Sequence, residues 1–126
     1  IYRATLEGLC FQLRDALEIL SRATGLTPRT LRVVGGGSRN ALWNQIRADV
    51  TGLPVVVVRK TEATVLGAAI FAFAGTGVLA SVPEAQKRMN PGEKLVKPSA
   101  GRTVYRSLYD VYRQVPPALR RVYRSL

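Results

Sequence analysis

From residue 2 to residue 24 apolar side chains return every three or four positions: Leu6, Leu9, Cys10, Leu13, Leu17 and Leu20, with Arg14, Asp15, Glu18 and Arg22 mostly opposite. That spacing predicts one long amphipathic helix, ended by Gly25. The pattern is already under way at Ile1, so the sequence predicts further chain upstream. Gly8 inside it would cost about 1 kcal/mol relative to alanine, which predicts close packing against another element. Cys10 reads as a small core residue.

The period then changes. Leu31 to Val34 is β-branched enough for a strand, while Leu42, Trp43, Ile46 and Val50 share one face of a helix predicted from about Ser38 to Thr51 and stopped by Gly52. Val55 to Val58 are four valines without alternation, which predicts a strand covered on both faces, as in a parallel sheet. Together these make a βαβ unit with a right-handed crossover.

Val65 to Gly75 is apolar nearly all round, predicting a buried helix whose flat side is Gly67, Ala68 and Ala69. Thr61 is the expected cap of that helix, and Glu62 lies at its positive end, either as simple electrostatic support or beside a ligand. Ser81-Val82-Pro83-Glu84 matches a capping box and starts a short helix to about Met89. Asn90-Pro91-Gly92 reads as a turn, and Glu93 to Gly101 as an extended linker.

Two further helices are expected over Thr103 to Gln114 and Ala118 to Leu126, parted by Pro116-Pro117. Tyr105, Leu108, Tyr109 and Tyr112 form one stripe, and Leu119, Val122, Tyr123 and Leu126 the other. Packing faces with a solvated basic side are the favoured reading of both stripes, and RNA stacking is the alternative. The expected architecture is α/β: a short parallel strand pair in a βαβ unit with flanking helices. Its main unit covers residues 1–90, and a linker and basic helical tail follow over 91–126.

Composition narrows the chemistry. Among 126 residues there is one cysteine and no histidine, which removes disulfides within the chain, zinc sites built on Cys or His, and any imidazole base. The eight carboxylates are scattered, and no pair suits a glycosidase or two-metal site, so no catalytic residue and no metal ligand is assigned. No apolar run approaches the length of about 18 residues that a membrane span needs, and no signal peptide opens the chain; cytoplasmic residence is the expectation. The net charge of +11 invites a polyanion partner, but the excess is concentrated after residue 84, and no RNA-binding signature accompanies it.

The chemically distinctive stretch is Val34-Gly35-Gly36-Gly37-Ser38-Arg39-Asn40, between the first strand and its helix. Consecutive glycines let a ligand approach the backbone, and a following helix N-terminus favours anions; the same arrangement also serves as a plain connection. A P-loop needs Lys followed by Ser or Thr at its end, and Ser38-Arg39-Asn40 lacks it. A dinucleotide turn fits Gly35 and Gly37 but meets Asn40 where its third glycine belongs. With Arg59-Lys60 after the second strand, that reading could only be of an NADP type.

Three stretches resemble the FGGY carbohydrate kinases: Tyr2-Arg3-Ala4-Thr5-Leu6-Glu7-Gly8; Val34 to Asn40 with Leu42-Trp43-Asn44-Gln45; and Thr61-Glu62-Ala63-Thr64 through Gly67-Ala68-Ala69. With Asp49, Gly52, Leu53 and Pro54 between them, the likeness runs from Tyr2 to about Met89. It implies part of the C-terminal domain of an actin-like, ribonuclease H-like enzyme that transfers the γ-phosphoryl of MgATP to a sugar hydroxyl, here L-fuculose or a related ketose. By the resemblance Gly36, Gly37 and Asn40 lie against the nucleotide, Asn40 near its adenine end, with Gly35, Ser38 and Arg39 as neighbours. The nucleotide carries the Mg²⁺. The catalytic base and the sugar contacts are expected in a missing N-terminal portion, so this chain alone is expected to be inactive, with an uncovered face that favours self-association. An NADP-type module and a basic RNA-binding or assembly module are the rival functions.

Overall fold

A computed structural model describes residues 1–59, 63–90 and 92–125, without the side chains of Ala63, Arg121 and Tyr123. The expected Thr61 cap, Glu62, Lys60, Pro91 and Leu126 lie outside the described residues. Helix α1 covers Tyr2–Thr24 and ends at Gly25 in the left-handed conformation, as its periodicity indicates. Strand β1 is Leu31–Val33, a short 3₁₀ turn is Gly36–Arg39, α2 is Ala41–Thr51, and β2 is Val55–Val58. After these come α3 (Ala63–Gly75), α4 (Val82–Arg88), β3 (Glu93–Val96), α5 (Arg102–Tyr112) and α6 (Val115–Arg124).

The sheet has the order β1-β2-β3, with β1 parallel and β3 antiparallel to β2. The βαβ unit is therefore present, but the sheet is mixed. The stretch expected as an extended linker begins as β3, and Val55↔Val96 and Val57↔Lys94 are in register. Arg32 on one edge strand reaches across β2 to pair with Glu93 on the other.

One core joins α1, α2 and α5. Leu6, Cys10, Phe11, Ile46, Val50, Tyr105 and Tyr109 are buried together, with Trp43 and Tyr112 packed at its rim. The Tyr105–Tyr109 stripe is thus a packing face. Phe11 packs edge-on against Tyr105 and tilted against Tyr109 and Tyr112, at centroid distances of 5.2–6.3 Å. A polar latch lies beside it: the Tyr105 hydroxyl donates to Glu7 at 2.8 Å, and Arg3 donates to both Glu7 and the Tyr105 hydroxyl. Leu9 and Leu20, expected in the core, are about half exposed, because the buried stripe of α1 is rotated toward Phe11.

Four further expectations change. α2 starts at Ala41, since Asn40 has an extended backbone and caps it. α3 is not buried by the described residues: Val65 and Phe71 are 65% and 67% exposed, and among its described side chains only Ile70 is buried, because α4, its main packing partner, offers too little surface to cover an all-round apolar helix. A Cβ added at Gly8 or Gly67 meets nothing within 4 Å, so close packing does not explain either glycine among the described residues. Pro116-Pro117 lie in the first turn of α6, where a missing N–H costs nothing, and Leu119 and Val122 on that helix are exposed.

Candidate functional site

The glycine loop leaves β1 at the carboxyl end of the parallel strands, where open α/β sheets bind ligands. Each of its three glycines has a different reason to be one. Gly35 has φ 82° and ψ −175°, a region that side-chain-bearing residues rarely enter. A Cβ on Gly37 would sit 2.9 Å from Cζ3 of Trp43. Gly36 has neither a positive φ nor any neighbour within 4 Å of an added Cβ, so its backbone faces open space.

The loop is held rigidly from behind. Ser38 is buried, and its hydroxyl donates to the Gly35 carbonyl at 2.7 Å, so this residue braces the turn from inside and its side chain is not presented to the surface. Asn44, also buried, donates to the Ser38 carbonyl at 2.7 Å and accepts from Arg47 at 2.8 Å. The Arg47 guanidinium stacks 3.7 Å from the Trp43 ring centroid, and burial pushes its pKa below the ordinary arginine value. Burial likewise pushes the Cys10 thiol up, which keeps it protonated and unreactive at neutral pH. Arg47 was not singled out from sequence, and Asn44 was named only as part of the motif that carries the resemblance; the supporting role of both had no signal beyond a polar residue at an inward-facing position of an otherwise apolar helix face.

Asn40 joins loop and helix. Its Oδ1 accepts the Trp43 N–H at 3.0 Å, and its Nδ2 donates to the Tyr2 hydroxyl at 2.7 Å, so the beginning of α1 is tied to the glycine loop. Beside Asn40, Arg39 rims a cleft of about 420 Å³ closed by Gln45, Val57, Lys94 and Lys97. Of the loop residues singled out from sequence, Ser38 and Arg39 line this cleft, whereas Gly35, Gly36, Gly37 and Asn40 do not; its far wall brings in two lysines, on β3 and just after it, that the sequence had assigned to a linker. Arg59, the remaining described residue of the NADP-type reading, is exposed at the end of β2, and its backbone N–H donates to the Gly92 carbonyl at 3.1 Å.

Five of the described carboxylates are engaged away from the loop. Glu7, Glu18, Glu84 and Glu93 each pair with an arginine, and Asp49 accepts hydrogen bonds from Ser99 and Gln45. Among the described residues no group of three or more metal-binding side chains gathers, and no helix is long and apolar enough to cross a membrane.

Because Trp43 is the chain's one tryptophan, the loop has a built-in reporter. Gly37→Ala is expected to push against its ring and cost about 1–3 kcal/mol as an overpacking change. The check is a urea melt followed by tryptophan emission, in which the native spectrum should also shift.

Residues 1–76 match the FGGY family of carbohydrate kinases, C-terminal domain. L-fuculokinase of Haemophilus influenzae is 43% identical over 99 residues, which is 79% of this chain and 21% of that protein. L-fuculokinase of Escherichia coli K12 is 45% identical over 89 residues, 71% of this chain and 19% of its own length. A glycerol kinase of Citrifermentans bemidjiense is 48% identical over 77 residues, 61% and 16% respectively. The chain thus spans about a fifth of the curated relatives it matches. Among solved structures, xylulose kinase of Rhodospirillum rubrum superposes with a TM-score of 0.76 at 23% identity, over 98% of this chain and 25% of that one. A ligand-bound xylulose kinase of Lactobacillus acidophilus gives 0.75 at 24% identity, over 92% and 24%.

Proposed function

The chain belongs to the FGGY family of carbohydrate kinases, as part of its C-terminal domain, and from that premise we propose that it supplies the nucleotide-side wall of an ATP-dependent sugar kinase. In this reading Gly36 and Gly37 lie against MgATP, Asn40 fixes the loop and meets the adenine end, and Gly35 sets the turn. Ser38 stiffens the loop from behind, while Arg39 borders the nucleotide. The reading rests on Gly36: among the three loop glycines it alone has neither a positive φ nor a packing neighbour, so an uncovered approach is what remains to account for it.

The nucleotide would bring its own Mg²⁺, and the task of these residues is to orient it and to keep its phosphates directed across the cleft. In this reading the catalytic base lies outside this chain, which by itself would bind nucleotide without turnover. Similarity to L-fuculokinases supports L-fuculose or a related ketose as the phosphoryl acceptor.

The test is a MgATP titration followed by backbone NMR. Gly36→Ala should leave stability within about 0.5 kcal/mol of the parent, since the new methyl meets no protein atom. It should nevertheless weaken MgATP binding about tenfold by standing in the nucleotide's place. Asn40→Asp keeps the oxygen that caps α2 and removes the amide that donates to Tyr2, so Tyr2→Phe, which breaks the same tie, is its control: a binding loss in Asn40→Asp beyond that of Tyr2→Phe reads ligand contact. Unchanged affinity in Gly36→Ala would remove the loop from the nucleotide site.

A further inference from the structure

The opposite end of α2 carries a second cationic feature that the kinase reading does not use. There Arg14 from α1 and Arg102 and Arg106 from α5 converge on a polar cavity of about 40 Å³, whose remaining walls are Val50, Thr51 and Gly52. No carboxylate lines it. Arg14 is fixed in place: its Nε donates to Glu18 at 3.0 Å, its Nη1 donates to the Val50 carbonyl at 3.2 Å, and its guanidinium lies 3.9 Å from the Tyr109 ring centroid. Arg102 lies flat on Gly52, whose φ of 70° and missing side chain make room for it; an added Cβ would come within 3.0–3.1 Å of the guanidinium.

The charges do not balance. Glu18 offsets one of three guanidiniums, Asp15 reaches the Tyr109 hydroxyl beside Arg14, and the carbonyl end of α2 contributes about half a negative charge, which still leaves the cavity cationic. A phosphate monoester carries about −1.5 to −2 at neutral pH, and its oxygens suit the paired N–H groups of arginine. The cavity's volume is little more than one water's share of about 30 Å³, so it admits the oxygens of a phosphoryl head and leaves the rest of the ligand in solvent.

We propose that Arg14, Arg102 and Arg106 form a binding site for a phosphate dianion, free or at the end of a small ester, one length of α2 away from the glycine loop. The site does not depend on the nucleotide assignment, and it gives a specific role to part of the basic excess after residue 84.

The test uses the full 126-residue chain, with arginine Nε–H resonances followed during titration with inorganic phosphate at constant ionic strength, chloride serving as the compensating anion. Saturable shifts of Arg14, Arg102 and Arg106 are expected. Arg102→Gln and Arg106→Gln, both at exposed positions, should each weaken phosphate about tenfold while retaining the parent's thermal transition. Arg120→Gln on α6 should leave affinity unchanged. A ketose phosphate is the second probe: equal affinity identifies the phosphoryl head alone as what is bound, and tighter binding identifies the ester as the ligand class. Absence of saturation above the chloride control, or an equal loss in Arg120→Gln, overturns the proposal in favour of diffuse polyanion attraction.

Discussion

Tyr109→Ala is expected to be among the most damaging single substitutions in this chain, lowering stability by about 3–5 kcal/mol in a urea melt. Tyr109 is 1% exposed and sits where α5 meets both α1 and α2, with its ring 6.0 Å from Phe11 and 6.2 Å from Tyr112. Truncation would leave a cavity between three helices and remove the surface under the Arg14 guanidinium. Domains of this size typically hold only about 5–15 kcal/mol in total, so α5 should detach or the whole core melt. Tyr109→Phe keeps the ring and gives up a long contact to Asp15 at 3.4 Å and the hydroxyl's interaction with Glu18; it should cost about 1 kcal/mol at neutral pH.

The two variants also separate at high pH. Burial first, then the nearby Glu18 and Asp15 carboxylates, push the Tyr109 phenol from 10.0 up to about 12. The folded chain therefore holds its proton where the unfolded chain has lost it. The associated stability is complete below pH 10 and disappears as pH rises toward 12, a loss of at most about 3 kcal/mol for a shift of two units and less to the extent that solvent screens the phenol oxygen. Tyr109→Phe should not show that part of the decline. Urea midpoints measured between pH 9 and pH 12 on both proteins check this, and parallel curves would mean that the phenol ionises freely in the folded state.

How much of this was legible in the sequence depended on whether a local signal and its partner were both in the chain. α1, α2 and the parallel pair β1–β2 were readable because periodicity, Gly25 and Gly52 act locally. The tyrosine stripe of α5 was readable for the same reason. β3 was not, since Glu93-Lys94-Leu95-Val96 has neither alternation nor a β-branched run and becomes a strand by pairing with β2. The rotation of the α1 core face toward Phe11 was also hidden, because it is set by where α5 docks. At the candidate site, the glycines and Asn40 were singled out from sequence. The inward use of Ser38 and the Asn44–Arg47 brace depend on χ angles and distances that spacing does not encode.

The connection after β3 gives the second large effect, and Asp49→Ala is expected to lose about 2–4 kcal/mol. Asp49 is buried on α2, and its Oδ1 accepts the Ser99 N–H at 2.5 Å and Gln45 Nε2 at 3.1 Å, while Oδ2 accepts the Ser99 hydroxyl at 2.9 Å. Ser99 Oγ in turn accepts the Gly101 N–H, and Gln45 also donates to the Lys97 carbonyl, so one carboxylate organises the path from β3 into α5. Hydrogen bonds to a charged group are worth about 1.5–3 kcal/mol each, and part of that returns because Ser99 can reach water once released. Asp49→Asn should be milder, near 1 kcal/mol: its Oδ1 can still take the Ser99 N–H and its amide can donate to Ser99 Oγ, but the charge is gone. Amide exchange distinguishes this clamp from general loosening. In Asp49→Ala protection should fall first at Ser99 to Tyr105 and only then across α5, whereas α1 and β1 should keep theirs at low urea. If Asp49→Ala melts within about 1 kcal/mol of the parent, α5 is held by Phe11, Tyr105 and Tyr109 alone, and the buried carboxylate contributes alignment of β3 and not attachment of the helix.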